Sequence, residues 1–222
     1  MKSVFEFEKT KAFIGLLLRN RKHQCRRLPI REKRLLNIGC GENLASGFIN
    51  LDVDWRRGLD ICWDVRKGLP FADNEIPGVF SEHCLEHIAV AECAAVIREV
   101  FRILVPGGRF RLILPDAELY LRAYLDRVSG GEARFPFEDA SDAGVHALPI
   151  TYVNSVFRDH GHQFAYDFAY TQVLLREAGF ANVNRCAYRQ GDDPRLLIDT
   201  EARNVESLYV EAMKPGIRAS AE

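Results

Sequence analysis

The chain has 222 residues, of which 47% are hydrophobic, 10% aromatic and 27% charged, and its formal net charge is −1. An apolar fraction of this size excludes an intrinsically disordered chain and is enough for one sizeable core. No apolar run approaches the roughly 18 residues that a membrane-spanning helix needs. The six cysteines include no C-x-x-C pair, which favours reduced thiols and a cytoplasmic protein.

The first 34 residues carry eleven Lys or Arg and three Glu, a net charge of +8. They predict a basic helical extension over residues 1–34, with a helix inside residues 8–25. The apolar run at 13–18 lacks a cleavage site behind it, so no secretory signal is expected. Such a helix can contact an anionic membrane surface or nucleic acid, or it can cover the sheet with its apolar face. We favour the last alternative and expect no nucleic-acid partner, because no aromatic residue follows Phe13 among the basic ones. Peripheral membrane contact stays open.

The most informative stretch lies at residues 35–54. The apolar run 35–38 ends in Gly39-Cys40-Gly41, and a second apolar run at 48–51 ends in Asp52. Glycines after a strand let the backbone turn tightly and approach a ligand closely. An acid that closes the next strand can accept hydrogen bonds from two ribose hydroxyls. The pattern favours a nucleoside site over a plain glycine turn with a capping aspartate.

Strands and helices alternate along the rest of the chain, which is typical of an α/β fold. Helix 93–104 carries apolar residues on one face, as its 3.6-residue period shows. The predicted strands after the second are at about 60–64, 79–81, 110–114, 183–188 and 208–212. The other predicted helices are at about 117–128, 150–157 and 168–178, and residues 129–149 are predicted to form a loop.

The motifs LNIGCG, INLD, LPF, EHCLEHI and LVPGGRFRLILPD follow one another between Leu35 and Asp116. In this order they resemble the class I S-adenosylmethionine-dependent methyltransferases, and most of all the small bacterial type 11-like domain. The resemblance continues more weakly through residues 176–180 and 207–214. It implies a three-layer Rossmann-like fold with a mostly parallel seven-stranded sheet, an antiparallel last strand and helices on both faces. It also implies a single domain over 35–222, with a substrate-side insertion at about 117–163.

The resemblance implies S-adenosylmethionine as the cofactor, bound at the carboxyl ends of the strands. Its methionine part would contact the glycine turn, and Asn43 stands where the family often has a third glycine. Asp52 would hold the ribose, and Asp64 would accept from the adenine amino group. The implied cofactor-binding residues are Gly39, Cys40, Gly41, Asn43, Asp52, Val53, Asp64, Val65, Glu82 and His83.

Methyl transfer depends mainly on holding the acceptor in line with the reactive methyl group. A general base is needed only if the acceptor must lose a proton, as a hydroxyl does. The candidate catalytic residues are His83, His160 and His162. The resemblance implies a small-molecule or glycan acceptor, methylated most readily on a hydroxyl oxygen.

Three alternatives remain open from the sequence. Residues 83–87 match H-x-x-E-H, a zinc peptidase motif that would use His83, Glu86 and His87. That motif follows a strand and lacks an obvious third ligand, so no metal site is expected. An NAD-dependent oxidoreductase would also need a glycine loop, but Leu44 stands where its third glycine belongs. The third alternative is a nucleoside-binding scaffold without turnover.

Overall fold

The computed structural model describes residues 35–216, so the predicted N-terminal extension and its helix lie outside the described residues. Seven strands form one sheet, in the order β3-β2-β1-β4-β5-β7-β6. They are β1 (Leu35–Ile38), β2 (Phe48–Asp52), β3 (Ile61–Cys62), β4 (Ile76–Glu82), β5 (Leu104–Pro115), β6 (Ala181–Cys186) and β7 (Ser207–Met213). Strands β1 to β5 pair in parallel, and β7 is antiparallel to both β5 and β6. The predicted α/β sheet with an antiparallel last strand is confirmed.

In the part of the chain that the structure describes, four α-helices pack around this sheet, and each lies where the sequence pattern predicts a helix. They are α1 (Val90–Ile103), α2 (Ala117–Val128), α3 (Pro149–Arg158) and α4 (Phe168–Glu177). Helix α1 begins at Val90, three residues before the predicted start. The prediction relied on residues that face the core, and the first of these in the helix is Cys93. Among residues 35–216, no helix is long and apolar enough to cross a membrane.

Strand β5 is longer than the sequence predicts. It starts at Leu104, directly after α1 and before the predicted start at residue 110, so residues 106–108 belong to the strand. Strand β4 pairs with this early part, since Ile76 lies opposite Leu104. Gly107 N–H also donates to the carbonyl of Lys214, 2.8 Å away, beyond the end of β7. Pairing partners on both sides therefore keep the Pro-Gly-Gly segment in the sheet as an irregular stretch, in which Gly107 has φ +81°.

The core lies on the two faces of the sheet, and β1 and β2 are buried along their whole length. Continuous burial is typical of parallel strands covered on both faces. One face packs against α1 and α4. The other face packs against the segment around Leu196 and Ile198. Helices α2 and α3 share a smaller apolar cluster of their own, centred on Phe135 and Tyr152.

The sheet order brings the ends of β1, β2 and β4 together. Ile38, the last residue of β1, lies opposite Leu51 of β2 on one side and Ser81 of β4 on the other. The glycine turn after β1, Asp52 at the end of β2 and the residues after β4 therefore meet at one edge. This is the edge at which open α/β sheets bind ligands.

Helix α4 begins at a side-chain cap whose loss has a predictable cost. The carboxylate of Asp167 accepts a hydrogen bond from Tyr170 N–H at 2.7 Å. We expect Asp167→Ala to lower the free energy of unfolding by about 1 kcal/mol, because the N–H of Tyr170 in the first helical turn loses its acceptor. Urea denaturation measures this, and Asp167→Asn, which keeps an acceptor oxygen, serves as the control. Equal stability of Asp167→Ala and wild type would contradict the assigned cap.

Candidate active site

The turn after β1 requires glycine at its first position. Gly39 has φ +66°, and a Cβ there would lie 2.3 Å from Cys84 Sγ. Positive φ is uncommon for residues with a side chain, and that distance is far inside van der Waals contact. The N–H groups of Gly39 and Cys40 both donate to the carbonyl of Leu51, at 2.8 and 3.2 Å. These bonds fix the turn against the end of β2.

Asp52 is held rigidly beside this turn. Its Oδ2 accepts from Gly41 N–H at 2.8 Å, and its Oδ1 accepts from Asp54 N–H at 2.8 Å. Each carboxylate oxygen has a second lone pair, and the side chain lines a cavity. Asp52 can therefore accept hydrogen bonds from two adjacent hydroxyl groups of a ligand.

The first cavity has a volume of about 450 Å³, within the range of small-molecule sites. Seven of the residues predicted to bind the cofactor line this cavity, namely Gly39, Gly41, Asp52, Val53, Asp64, Val65 and His83. The sequence interpretation missed others, namely Leu51, Asp54, Arg56, Trp63, Arg66, Cys84, His87 and Ile88. Of these, Trp63 could have been identified from the sequence, because it directly precedes the strand-end acid Asp64.

Three predicted cofactor residues do not line this cavity. Cys40 is buried, because the side chain between the two glycines points into the protein. Asn43 is exposed, and its carbonyl accepts from the side chain of Asn37. The carboxylate of Glu82 accepts from Thr200 N–H at 2.9 Å. Cys40, Asn43 and Glu82 adjoin lining residues in the sequence but do not line the cavity themselves.

Asp64 faces the cavity but is already engaged. Its carboxylate accepts from Arg66 Nε and Nη2, each at 2.9 Å, and from Arg66 N–H at 3.2 Å. The side chain caps the short 3₁₀ turn Val65–Lys67. A bond to an adenine amino group would have to be made alongside this ion pair.

A second cavity of about 680 Å³ adjoins the first, and His83 and His87 line both. Its wall combines residues after β4, residues of the predicted insertion and residues before β7. The remaining lining residues are Glu86, Tyr120, Phe137, Ser155, Val156, Asp159, His160, His162, Thr200, Ala202, Arg203 and Glu206. Both charge signs and two aromatic rings are present, so the cavity suits a polar ligand.

His83 is fixed between two partners. Arg203 Nη1 lies 2.7 Å from Nδ1, and Ser207 Oγ lies 2.8 Å from Nε2. Arginine can only donate, so Nδ1 accepts and Nε2–H donates to Ser207. Burial, reinforced by the charge of Arg203, lowers the pKa of His83 to about 3. His83 therefore has no free lone pair with which to accept a proton, in contrast to its predicted catalytic role.

Glu86 is a buried carboxyl group of the 3₁₀ turn Leu85–His87, only 1% exposed. Within residues 35–216, neither of its oxygens has a hydrogen-bond partner. Burial raises the pKa of Glu86 to about 8. A buried polar group without partners is rare and calls for an explanation.

The other two predicted catalytic histidines lie close together on the second cavity. Their ring centroids are 6.0 Å apart. His162 Nδ1 lies 2.9 Å from the carbonyl of Val156, so it carries the proton and Nε2 keeps a lone pair. His160 is exposed, has φ +57°, and makes no hydrogen bond to the described part of the chain.

The same geometry argues against the zinc peptidase alternative. That motif needs His83 and His87 on one helix face, but His83 has φ +46° and precedes a single 3₁₀ turn. Both nitrogens of His83 are also hydrogen-bonded. The H-x-x-E-H spacing is therefore present without its helical context.

Comparison with known proteins agrees with this site. Residues 36–112 match the methyltransferase domain family. The ubiquinone/menaquinone biosynthesis C-methyltransferase UbiE of Desulfotalea psychrophila is 28% identical over 152 residues, 62% of this chain and 56% of that protein. The uncharacterized protein YBR225W of Saccharomyces cerevisiae is 24% identical over 148 residues, 57% of this chain and 16% of that protein. The chain thus spans about half, or less, of the length of these curated relatives.

Among solved structures, a SAM-dependent methyltransferase from Thermotoga maritima has the same fold. The superposition has a TM-score of 0.51 at 16% sequence identity and covers 95% of this chain and 96% of that chain. At this identity the superposition shows a shared fold and nothing more. The family match covers the glycine turn, Asp52 and the 3₁₀ turn that carries Glu86. Residues 36–112 therefore match the methyltransferase domain family, and the described chain has the fold of a SAM-dependent methyltransferase of known structure.

Proposed function

We propose that this protein transfers the methyl group of S-adenosylmethionine to a hydroxyl oxygen of a small-molecule or glycan acceptor. The observation that supports this best is the pair of adjoining cavities that share His83 and His87. The first has the features of a nucleoside site. The second has the volume of a separate small-molecule site, so donor and acceptor can be bound next to each other.

The residues of the first cavity fit the cofactor. Gly39 and Gly41 would lie beside its methionine part, and the anchored carboxylate of Asp52 would accept from both ribose hydroxyls. Trp63 and Val65 offer apolar surface to the adenine. When bound, the cofactor supplies a methyl group on a positively charged sulfur. The protein has to hold this group against the second cavity and exclude water.

The second cavity supports a hydroxyl-bearing acceptor. Asp159, Arg203 and Glu206 provide charged hydrogen-bonding groups, while Tyr120 and Phe137 provide aromatic surface. Sugars combine many hydroxyl groups with apolar C–H faces, so a wall of this mixed kind suits them. Orientation of the acceptor would come from residues 117–163 and from the segment before β7, which together form most of this wall.

A hydroxyl acceptor must give up its proton, and we assign the role of general base to His160. It lines the second cavity, whereas both ring nitrogens of His83 are hydrogen-bonded and His162 keeps only Nε2 free. His160 makes no bond of this kind to residues 35–216. Its exposed position also lets it pass the proton on to solvent.

We expect His160→Gln to lower kcat about 100-fold, because general-base catalysis contributes a factor of this order. The affinity for S-adenosylmethionine should stay unchanged. The measurement is transfer of an isotope-labelled methyl group to a panel of sugars and glycans, with amines and quinol rings as competing acceptor classes.

His146→Gln is the matched control, since His146 is exposed and lines neither cavity. It should retain wild-type rates. Methylation of nitrogen or carbon alone would refute the hydroxyl acceptor; the relative UbiE is named as a C-methyltransferase, so a quinol ring is the sharpest competitor. Full activity of His160→Gln on a hydroxyl acceptor would refute the assigned base.

A further inference from the structure

We propose that Glu86, His87 and His162 form a binding site for one divalent transition-metal ion where the two cavities meet. One ligand atom from each of the three side chains lies within 4.8 Å of the other two. Glu86 Oε1 is 3.8 Å from His87 Nε2. Atoms bound to one ion at about 2.1 Å lie 3 to 4 Å apart, so a small rotation of an imidazole completes the set.

The carboxylate of Glu86 is the strongest sign of a missing partner. It is 1% exposed, and both of its oxygens lack a hydrogen-bond donor within residues 35–216. Burying such a group without compensation is costly. Arg203, which lines the same cavity, already donates to His83 and lies 3.6 Å from Glu206. A bound cation would satisfy Glu86 directly.

His162 is prepared as a metal ligand. Its Nδ1–H donates to the carbonyl of Val156 at 2.9 Å, which leaves the lone pair on Nε2. Metal-bound histidines almost always donate their other N–H in this way, and the bond fixes both the tautomer and the ring direction. The rings of His87 and His162 lie edge to face with centroids 4.9 Å apart.

The segment that carries His162 is tied to the turn that carries Glu86 and His87. Gln163 N–H donates to the carbonyl of Glu86 at 2.7 Å, and Gln163 Nε2 donates to the carbonyl of His87 at 2.8 Å. These two bonds hold the three ligands in register, although His162 belongs to the predicted insertion. His83 has no part in the set, because both of its ring nitrogens are hydrogen-bonded.

Two imidazoles and one carboxylate suit Zn²⁺, Mn²⁺, Co²⁺ or Fe²⁺ rather than Mg²⁺ or Ca²⁺, which prefer oxygen ligands. All three side chains line the second cavity, so open coordination positions would face the acceptor. If the proposed function holds, a hydroxyl oxygen bound there would lose its proton more readily, because a metal ion lowers the pKa of a bound hydroxyl. Binding of the ion itself does not depend on that function.

The test is titration of the chelator-treated protein, residues 1–222, with Zn²⁺ by calorimetry and with Co²⁺ by visible absorption. We expect one ion per chain. Glu86→Gln and His162→Gln should each weaken Zn²⁺ binding at least about 100-fold, since even outer-shell changes cost 10- to 100-fold. His146→Gln should bind Zn²⁺ as the wild type does. Affinity for S-adenosylmethionine, measured without metal, should be the same in all variants and shows that they are folded.

Absence of saturable Zn²⁺ and Co²⁺ binding would overturn the proposal. So would unchanged Zn²⁺ affinity in both Glu86→Gln and His162→Gln. These outcomes leave the proposed function untouched, because methyl transfer and cofactor binding are measured separately. Conversely, one bound Zn²⁺ that both variants lose would support the site even in a protein that methylates no hydroxyl.

Discussion

Asp52→Ala should bind S-adenosylmethionine at least about 100-fold more weakly than the wild type, since each hydrogen bond to a charged group contributes roughly 1.5–3 kcal/mol. The variant would lack the two hydrogen bonds that the carboxylate of Asp52 accepts from the ribose hydroxyls. The variant would also lack the hydrogen bonds that the carboxylate accepts from the N–H groups of Gly41 and Asp54, at 2.8 Å each. The glycine turn would then lose one of its anchors. Calorimetric titration of the purified variant measures the affinity.

Two further variants sharpen this prediction. Asp52→Asn keeps one acceptor oxygen and should fall between Asp52→Ala and the wild type. Asp73→Ala removes an exposed carboxylate that lines neither cavity, so its affinity should equal that of the wild type. A folded Asp52→Ala protein with wild-type affinity would show that this acid does not hold the ribose.

Arg111→Met should lower the free energy of unfolding by about 3–5 kcal/mol, the usual cost of removing one partner of a buried ion pair. Arg111 on β5 and Asp199 are both fully buried, with Nε 2.7 Å from Oδ1. The guanidinium also donates to the carbonyls of Gln190 and Ala187, at 2.9 and 3.2 Å. Its loss leaves the buried carboxylate of Asp199 without its counter-charge and removes the donor to both carbonyls.

Urea denaturation followed by circular dichroism measures this effect. The matched control is Arg122→Met, because Arg122 pairs with Glu118 on the surface of α2 and its side chain is 75% exposed. Exposed pairs contribute little, so this variant should change the free energy of unfolding by less than about 0.5 kcal/mol. A similar small change for Arg111→Met would contradict the assigned role of the buried pair.

Local patterns made most of the sheet and the first cavity predictable. Apolar runs at 35–38 and 48–51, each ended by glycine or an acid, are confirmed as β1 and β2. Because parallel strands bind ligands at their carboxyl ends, Gly39, Asp52 and Asp64 could be placed on one edge from the sequence. The four α-helices of the described chain lie where helices were predicted, and the first of them follows from its 3.6-residue period.

Long-range contacts account for what the sequence did not reveal. Glu82 bonds Thr200, 118 residues away, so its role after β4 could not be read from its neighbours. His162 lies near Glu86 because the N–H of the next residue, Gln163, donates to the carbonyl of Glu86, which is far away in the sequence. The burial of Cys40 depends on the direction of one side chain in a turn. None of these features leaves a periodic or motif signal.

The measurement that tests the central claim most directly is calorimetric titration of the wild-type protein with S-adenosylmethionine, S-adenosylhomocysteine and NAD. The claim is that the cavity between Gly39, Asp52 and Val65 is a sulfur-nucleoside site. We predict saturable binding of both sulfur nucleosides, one per chain, and no binding of NAD. Binding of NAD alone, or of none of the three, would contradict the claim.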